Sequence, residues 1–92
     1  MKIFDLEQIH EAINIAHDLK ELINSQKSAL MNFSSGSYDV PLPMQFIFPA
    51  FGSDCRIKGG YRIGSKNFVI KIAGSSKFGN NGAILVFDVA SC

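Results

Sequence analysis

The chain has 92 residues, of which 47% are hydrophobic, 11% aromatic and 18% charged, with a formal net charge of +1. That length holds one small domain over 1–92 and leaves no room for a second core. The composition is too apolar for a disordered chain, and the near-zero charge excludes strong nonspecific attraction to nucleic acid. A domain this small buries only about 60 to 65% of the surface its unfolded chain exposes, so self-assembly is expected from the outset.

The charge is uneven: residues 1–54 carry seven acids and three bases, net −4, and residues 55–92 carry six bases and one acid, net +5. The longest uninterrupted apolar stretch, Ala83 to Phe87, is far short of the roughly 18 to 20 residues that cross a bilayer, and no basic region precedes an apolar leader. The chain reads as soluble and cytoplasmic, with no membrane partner. Cys55 and Cys92 fit neither a CxxC zinc pattern nor a disulfide framework and read as reduced thiols, and the terminal position of Cys92 gives no prenylation signature.

In chain order, Lys2 to Phe4 suits a short strand. Asp5 followed by Leu6, Ile9, Ala12 and Ile13 predicts an N-cap and an amphipathic helix over about 5–13. The next apolar stripe is Ile15, Leu19, Leu22, Ile23, Gln26, Leu30 and Phe33, slipped by one position, which places a break at Asn14 and a longer helix over about 15–33. Ser34-Ser35-Gly36-Ser37 stops that helix, and Val, Ile, Phe and Gly then replace Leu, Glu and Lys.

The rest, about 38–90, reads as sheet. Met44, Phe46 and Phe48 alternate with Gln45 and Ile47, and Pro41, Pro43 and Pro49 confine that strand and place it at an edge. Arg56 to Ile63 and Phe68 to Ala73 flank Gly64-Ser65-Lys66-Asn67 with the spacing of a hairpin, and a strand from Gly82 to Val89 is expected to be entered through Asn80-Asn81-Gly82. Alternation puts Ile57, Gly59, Tyr61 and Ile63 with Phe68, Ile70 and Ile72 on an apolar face. Arg56, Lys58, Gly60 and Arg62 with Val69, Lys71 and Ala73 form a basic face able to receive a small anionic group. The expected fold class is α+β: two N-terminal helices packed on a mostly antiparallel sheet of five or six strands.

Ile57-Lys58-Gly59-Gly60-Tyr61-Arg62-Ile63-Gly64, Phe68-Val69-Ile70-Lys71-Ile72-Ala73 and Asn81-Gly82-Ala83-Ile84-Leu85-Val86-Phe87-Asp88 follow one another behind two helices. In motif and order they resemble the N-terminal domain of the ornithine cyclodeaminase and mu-crystallin family, over almost all of Met1 to Ser91. In that family the domain is fused to a Rossmann domain that binds NAD(H) or NADP(H). No GxGxxG occurs in these 92 residues, and the family's catalytic aspartate, which belongs to the Rossmann domain, has no counterpart. The resemblance therefore implies a stand-alone, noncatalytic copy, not an enzyme, with no cofactor.

It also implies that Lys71 matches a lysine in the family's substrate pocket and Lys58 a second lysine near the substrate in one branch. Many members carry an arginine after a proline in the preceding strand, where it clamps the substrate carboxylate; here that neighbourhood is Val40-Pro41-Leu42-Pro43-Met44. The family domain dimerises by packing its sheet against the sheet of a second subunit, so a homodimer or larger homo-oligomer is implied, with a small amino-acid-like or anionic ligand near Lys58 and Lys71. The alternative is a subunit or regulator of a separate full-length dinucleotide-dependent member.

Each sharper reading has a plainer one beside it. Lys58 and Lys71 also suit the solvent face of a strand, and a buried Lys71 would need a counter-charge. His10 and His17, seven apart with Glu21 beyond, could ligate a metal, but a solvated helix face explains them better. Gly74-Ser75-Ser76-Lys77-Phe78-Gly79 lacks the GxxxxGK order of a phosphate loop and reads as a hairpin loop. Arg56, Lys58, Arg62, Lys66, Lys71 and Lys77 with Tyr61, Phe68 and Phe78 compose a third, weaker reading as a single-stranded nucleic-acid binder. Cys55 has no base beside it to serve a catalytic thiol.

Overall fold

The computed structural model describes residues 2–92, without the side chains of Ile15 and Ala16. It divides into two compact units, a helical one ending at Ser35 and a sheet one spanning Gly36–Cys92. Together they make an α+β chain of two helices and one five-stranded antiparallel sheet.

In the helical unit, α1 spans Leu6–Ala12 and α2 spans Ile15–Ser34. Asp5 caps α1 with a full capping box: its carboxylate accepts from the Gln8 amide at 2.8 Å, and its own amide donates to Gln8 Oε1 at 2.9 Å. Asn14 breaks the helical run for a stated reason, because it is the N-cap of α2. Its Oδ1 accepts from the His17 amide at 3.2 Å and its amide donates to Asp18 Oδ2 at 3.1 Å, so the chain leaves helical dihedrals there to satisfy the first donors of the next helix. The α2 stripe forms as expected from Leu19 to Phe33 and is open, from 42% exposed at Leu22 to 67% at Leu30. The Ile15 side chain, which begins that stripe, lies outside the described residues.

Lys2 to Phe4 does not form the expected strand: residues 2–5 carry no regular structure and pair with no strand. Asp5 takes an extended backbone, φ −80° and ψ 174°, as a helix cap rather than as a ladder residue.

The sheet unit comprises β1 (Tyr38–Asp39), β2 (Met44–Phe48), β3 (Ser53–Arg62), β4 (Asn67–Ser76) and β5 (Gly79–Asp88). β3, β4 and β5 run as a meander, with β3 joined to β4 through 63–66. β4 occupies one edge of β3, so β1 and β2 lie in line along the other, interrupted by Val40–Pro43. Proline at 41 and 43 cannot donate to a ladder, which is why this edge strand is broken in two. Pro49–Phe51 forms a single 3-10 turn closed by Gly52 at φ 60°, returning the chain from β2 into β3.

Two expectations shift here. β3 and β4 are ten residues each, longer than Arg56–Ile63 and Phe68–Ala73. The entry to β5 is not Asn80-Asn81-Gly82, because Asn80 and Asn81 already pair with Ser75 and Gly74. The turn residues are Lys77 and Phe78, and Gly79, at φ 123°, supplies the left-handed backbone that was assigned to the Asn-Gly pair. Gly82 has a different duty: a Cβ there would come within 2.7 Å of the Ile72 carbonyl oxygen, so the close approach of β4 and β5 requires glycine.

Candidate functional site

The registers sort the sheet into two faces. Directly opposed residues share a face, so one face carries the rows Met44, Ile57, Ile72, Ala83, then Gly59, Ile70, Leu85, then Tyr61, Phe68, Phe87. Phe46 and Cys55 extend it toward the β2 end. The Phe68 and Phe87 rings stack with centroids 5.0 Å apart and an interplanar angle of 9°, and the Tyr61 hydroxyl accepts from the Gly64 amide at 3.1 Å, fixing that ring over its own hairpin loop.

No described residue of the sheet is buried. Met44 is 56% exposed, Phe46 49% and Leu85 37%. At one end of the apolar face lies an open depression of about 350 Å³ around Gly59 and Gly60, bounded by Tyr61, Phe68, Ile70 and Pro41, with Val89 and Cys92 from the C-terminal turn. The missing side chain of Gly59, between Ile57 and Tyr61 on this face, makes the hollow.

The opposite face holds the lysines. Lys58 and Lys71 are directly opposed across β3 and β4, with Ile84 completing the row on β5. The register thus brings the two candidate residues together. Both are exposed, neither forms an ion pair with a described residue, and neither borders the depression around Gly59. The condition that would have demanded a counter-charge for Lys71, burial, is not met. Arg56, two residues before Lys58 on the same face, is held instead by Asp54 at 2.9 Å, and Gln45 Nε2 donates to the same carboxylate oxygen at 3.2 Å. Asp54, Arg56, Ala73, Ser75 and Asn80 border a smaller depression of about 250 Å³.

The other candidates separate. His10 ends α1 and His17 begins α2; His17 Nδ1 lies 3.0 Å from Asp18 Oδ1, and no group of three or more metal-ligating side chains occurs among the described residues. Ser76 Oγ accepts from the Phe78 amide at 3.1 Å inside the β4–β5 turn, so Gly74–Gly79 is a hairpin end, not an open anion cradle. Lys77 Nζ sits 5.1 Å from the Phe78 ring centroid at that tip. Arg56, Lys58, Arg62 and Lys71 lie on the face opposite Tyr61 and Phe68, so of the cations and aromatics in the nucleic-acid reading these two groups do not share a face, while Lys77 and Phe78 meet at the hairpin tip. Both cysteines are free thiols, Cys55 half-buried and Cys92 exposed. No described helix is long and apolar enough to cross a membrane. Comparison with protein-family models, with curated proteins and with solved structures finds no match to this chain.

Proposed function

We propose that the chain is a noncatalytic, self-associating module that packs the apolar face of its sheet against the same face of a second copy, as the N-terminal domain of the ornithine cyclodeaminase family does. The observation that carries this is the continuous, chargeless centre of that face, where Met44, Phe46, Ile57, Ile70, Phe68 and Leu85 all remain partly or largely solvent-exposed. Four strand widths of about 4.8 Å by ten residues of about 3.4 Å give roughly 650 Å² of projected face. That exceeds the apolar patch a monomer ordinarily leaves open and approaches the roughly 800 Å² that each partner buries in a standard interface. The self-complementary shape of one face meeting itself suits a two-fold contact.

A ligand on this module would meet Lys58 and Lys71 on the opposite face, which self-association leaves in solvent. Their direct opposition without a carboxylate suits one small anion held between them. Light scattering on a sizing column across a hundredfold range of protein concentration tests the main reading. A dimer or larger species that persists on dilution supports it; a monomer at every concentration overturns it and turns attention to a partner of another sequence.

A further inference from the structure

The two edges of the sheet are unlike. The β1 and β2 edge is split by Pro41 and Pro43 and closed by Pro49, leaving no run longer than the five residues of β2. The β5 edge runs ten residues with no proline, no lysine, no arginine and no bulge, and its single charge, Asp88, is at the end. Such an edge presents unpaired backbone donors and acceptors with none of the usual guards.

The ladder determines which groups are free. The Val89 amide donates to the Lys66 carbonyl at 2.8 Å, and Asn67 Nδ2 donates to the Phe87 carbonyl at 3.2 Å, so odd-numbered residues of this stretch turn their backbone groups toward β4. The even-numbered residues Asn80, Gly82, Ile84 and Val86 therefore direct their N–H and C=O groups outward, whereas the Asp88 carbonyl already accepts from the Cys92 amide at 2.8 Å. Placing an antiparallel two-fold axis at Ile84 opposes Ile84 to itself, Gly82 to Val86 and Asn80 to Asp88. Gly82, Ile84 and Val86 then find partners for both of their backbone groups, the outer Asn80–Asp88 pairs lack the Asp88 carbonyl that Cys92 occupies, and the two Asp88 carboxylates stay at opposite ends.

We infer that β5 is a second self-association surface, pairing antiparallel with β5 of another copy to continue the sheet across a two-fold axis at Ile84. This shares with the proposed function only the identity of the partner: an edge contact uses backbone groups that face packing leaves in water. Face and edge are different surfaces, so using both builds an assembly larger than a dimer unless one axis serves both.

The test is amide hydrogen exchange of the full chain, resolved by residue along β5 and followed with protein concentration, beside light scattering. Edge pairing slows the amides of Gly82, Ile84 and Val86 at least about tenfold as the protein associates, because each becomes a ladder donor. Ile84→Glu abolishes that protection and weakens association about tenfold or more, since two carboxylates then face one another at the axis. Within the chain the new carboxylate lies across from Lys71, and Ile84 is 66% exposed, so the fold survives the change. If the protein is a dimer yet these even amides exchange freely while Ala83, Leu85 and Phe87 are protected, the edge inference falls and the face reading stands. If the even amides are protected equally in a monomer, the edge is covered from within the chain and the inference again falls. A monomer with free even amides overturns both.

Discussion

Phe68→Ala separates a face that waits for a partner from one that is merely exposed. In the isolated sheet the ring is only half-buried, and its defined neighbour is Phe87, stacked at 5.0 Å. Losing at least half of a phenyl burial of roughly 150 to 250 Å² at about 25 cal/mol per Å² amounts to about 2 to 3 kcal/mol or more, and the lost ring pair adds about 0.5 to 1.5. Burial counted from an extended chain is an upper bound by roughly 10 to 40%, so about 2 to 4 kcal/mol is expected for an unassociated sheet. If Phe68 instead lies inside a face-to-face interface, the loss rises toward the roughly 3 to 5 kcal/mol of an interior phenylalanine. It must also become concentration-dependent, because unfolding then includes dissociation. Urea denaturation at three protein concentrations, in both forms, reads the difference. The same destabilisation in dilute and concentrated protein would refute the interface, since the mass-action signature of a buried contact would then be absent.

Two other substitutions test separate steps. Gly82→Ala places a Cβ against the Ile72 carbonyl, where the clearance of 2.7 Å requires the β4 and β5 backbones to part; a loss of about 1 to 3 kcal/mol in thermal or urea unfolding is expected, and no loss would mean that this pair of strands adjusts freely. Lys58→Met and Lys71→Met each remove one of two directly opposed like charges on an exposed face, so each should raise stability at low salt by about 0.2 to 1 kcal/mol and lose that advantage as salt screens the pair. Inorganic phosphate should raise the melting temperature of the parent chain more than that of either variant if the pair holds an anion, and equally if it does not.

Local signals in the sequence were enough for the two helices, their caps and the faces of β3 and β4, though not for Lys2 to Phe4, which forms no strand. Asp5 ahead of Leu6 and Ile9, the phase slip at Asn14 and the strict alternation from Ile57 to Ile72 each depend on neighbours within a few residues, and each corresponds to an observed cap, junction or face. What was misplaced depends on long-range partners. Asn80-Asn81-Gly82 has good turn chemistry, yet the register of β5 on β4 draws both asparagines into the ladder and moves the turn to Lys77-Phe78. Tyr38–Asp39 is too short to announce itself and exists only because Arg62 and Tyr61 offer an edge beside it. The opposition of Lys58 to Lys71 was not legible either: a loop over 64–67 sets Ile63 against Phe68 and Lys58 against Ala73, whereas the observed register pairs Tyr61 with Phe68, and the hollow at Gly59 needed the positions of Pro41 and the C-terminal turn as well.

Edge pairing would also extend the basic row. Lys58, Lys71 and Ile84 stand on adjacent strands, so a two-fold axis at Ile84 continues the row through a second Ile84 to a second Lys71 and Lys58. Three strand spacings of about 4.8 Å put the two Lys71 backbones roughly 14 Å apart, beyond the Debye length of about 8 Å at physiological salt. Their repulsion is therefore too screened to oppose joining, and the Ile84 pair between them supplies apolar contact where the two chains meet. At low ionic strength the same four lysines act on one another, and edge pairing weakens while packing through the chargeless face does not. A salt series that strengthens β5 amide protection without strengthening face association thus assigns the two contacts to different surfaces, whereas parallel responses would place both at one interface.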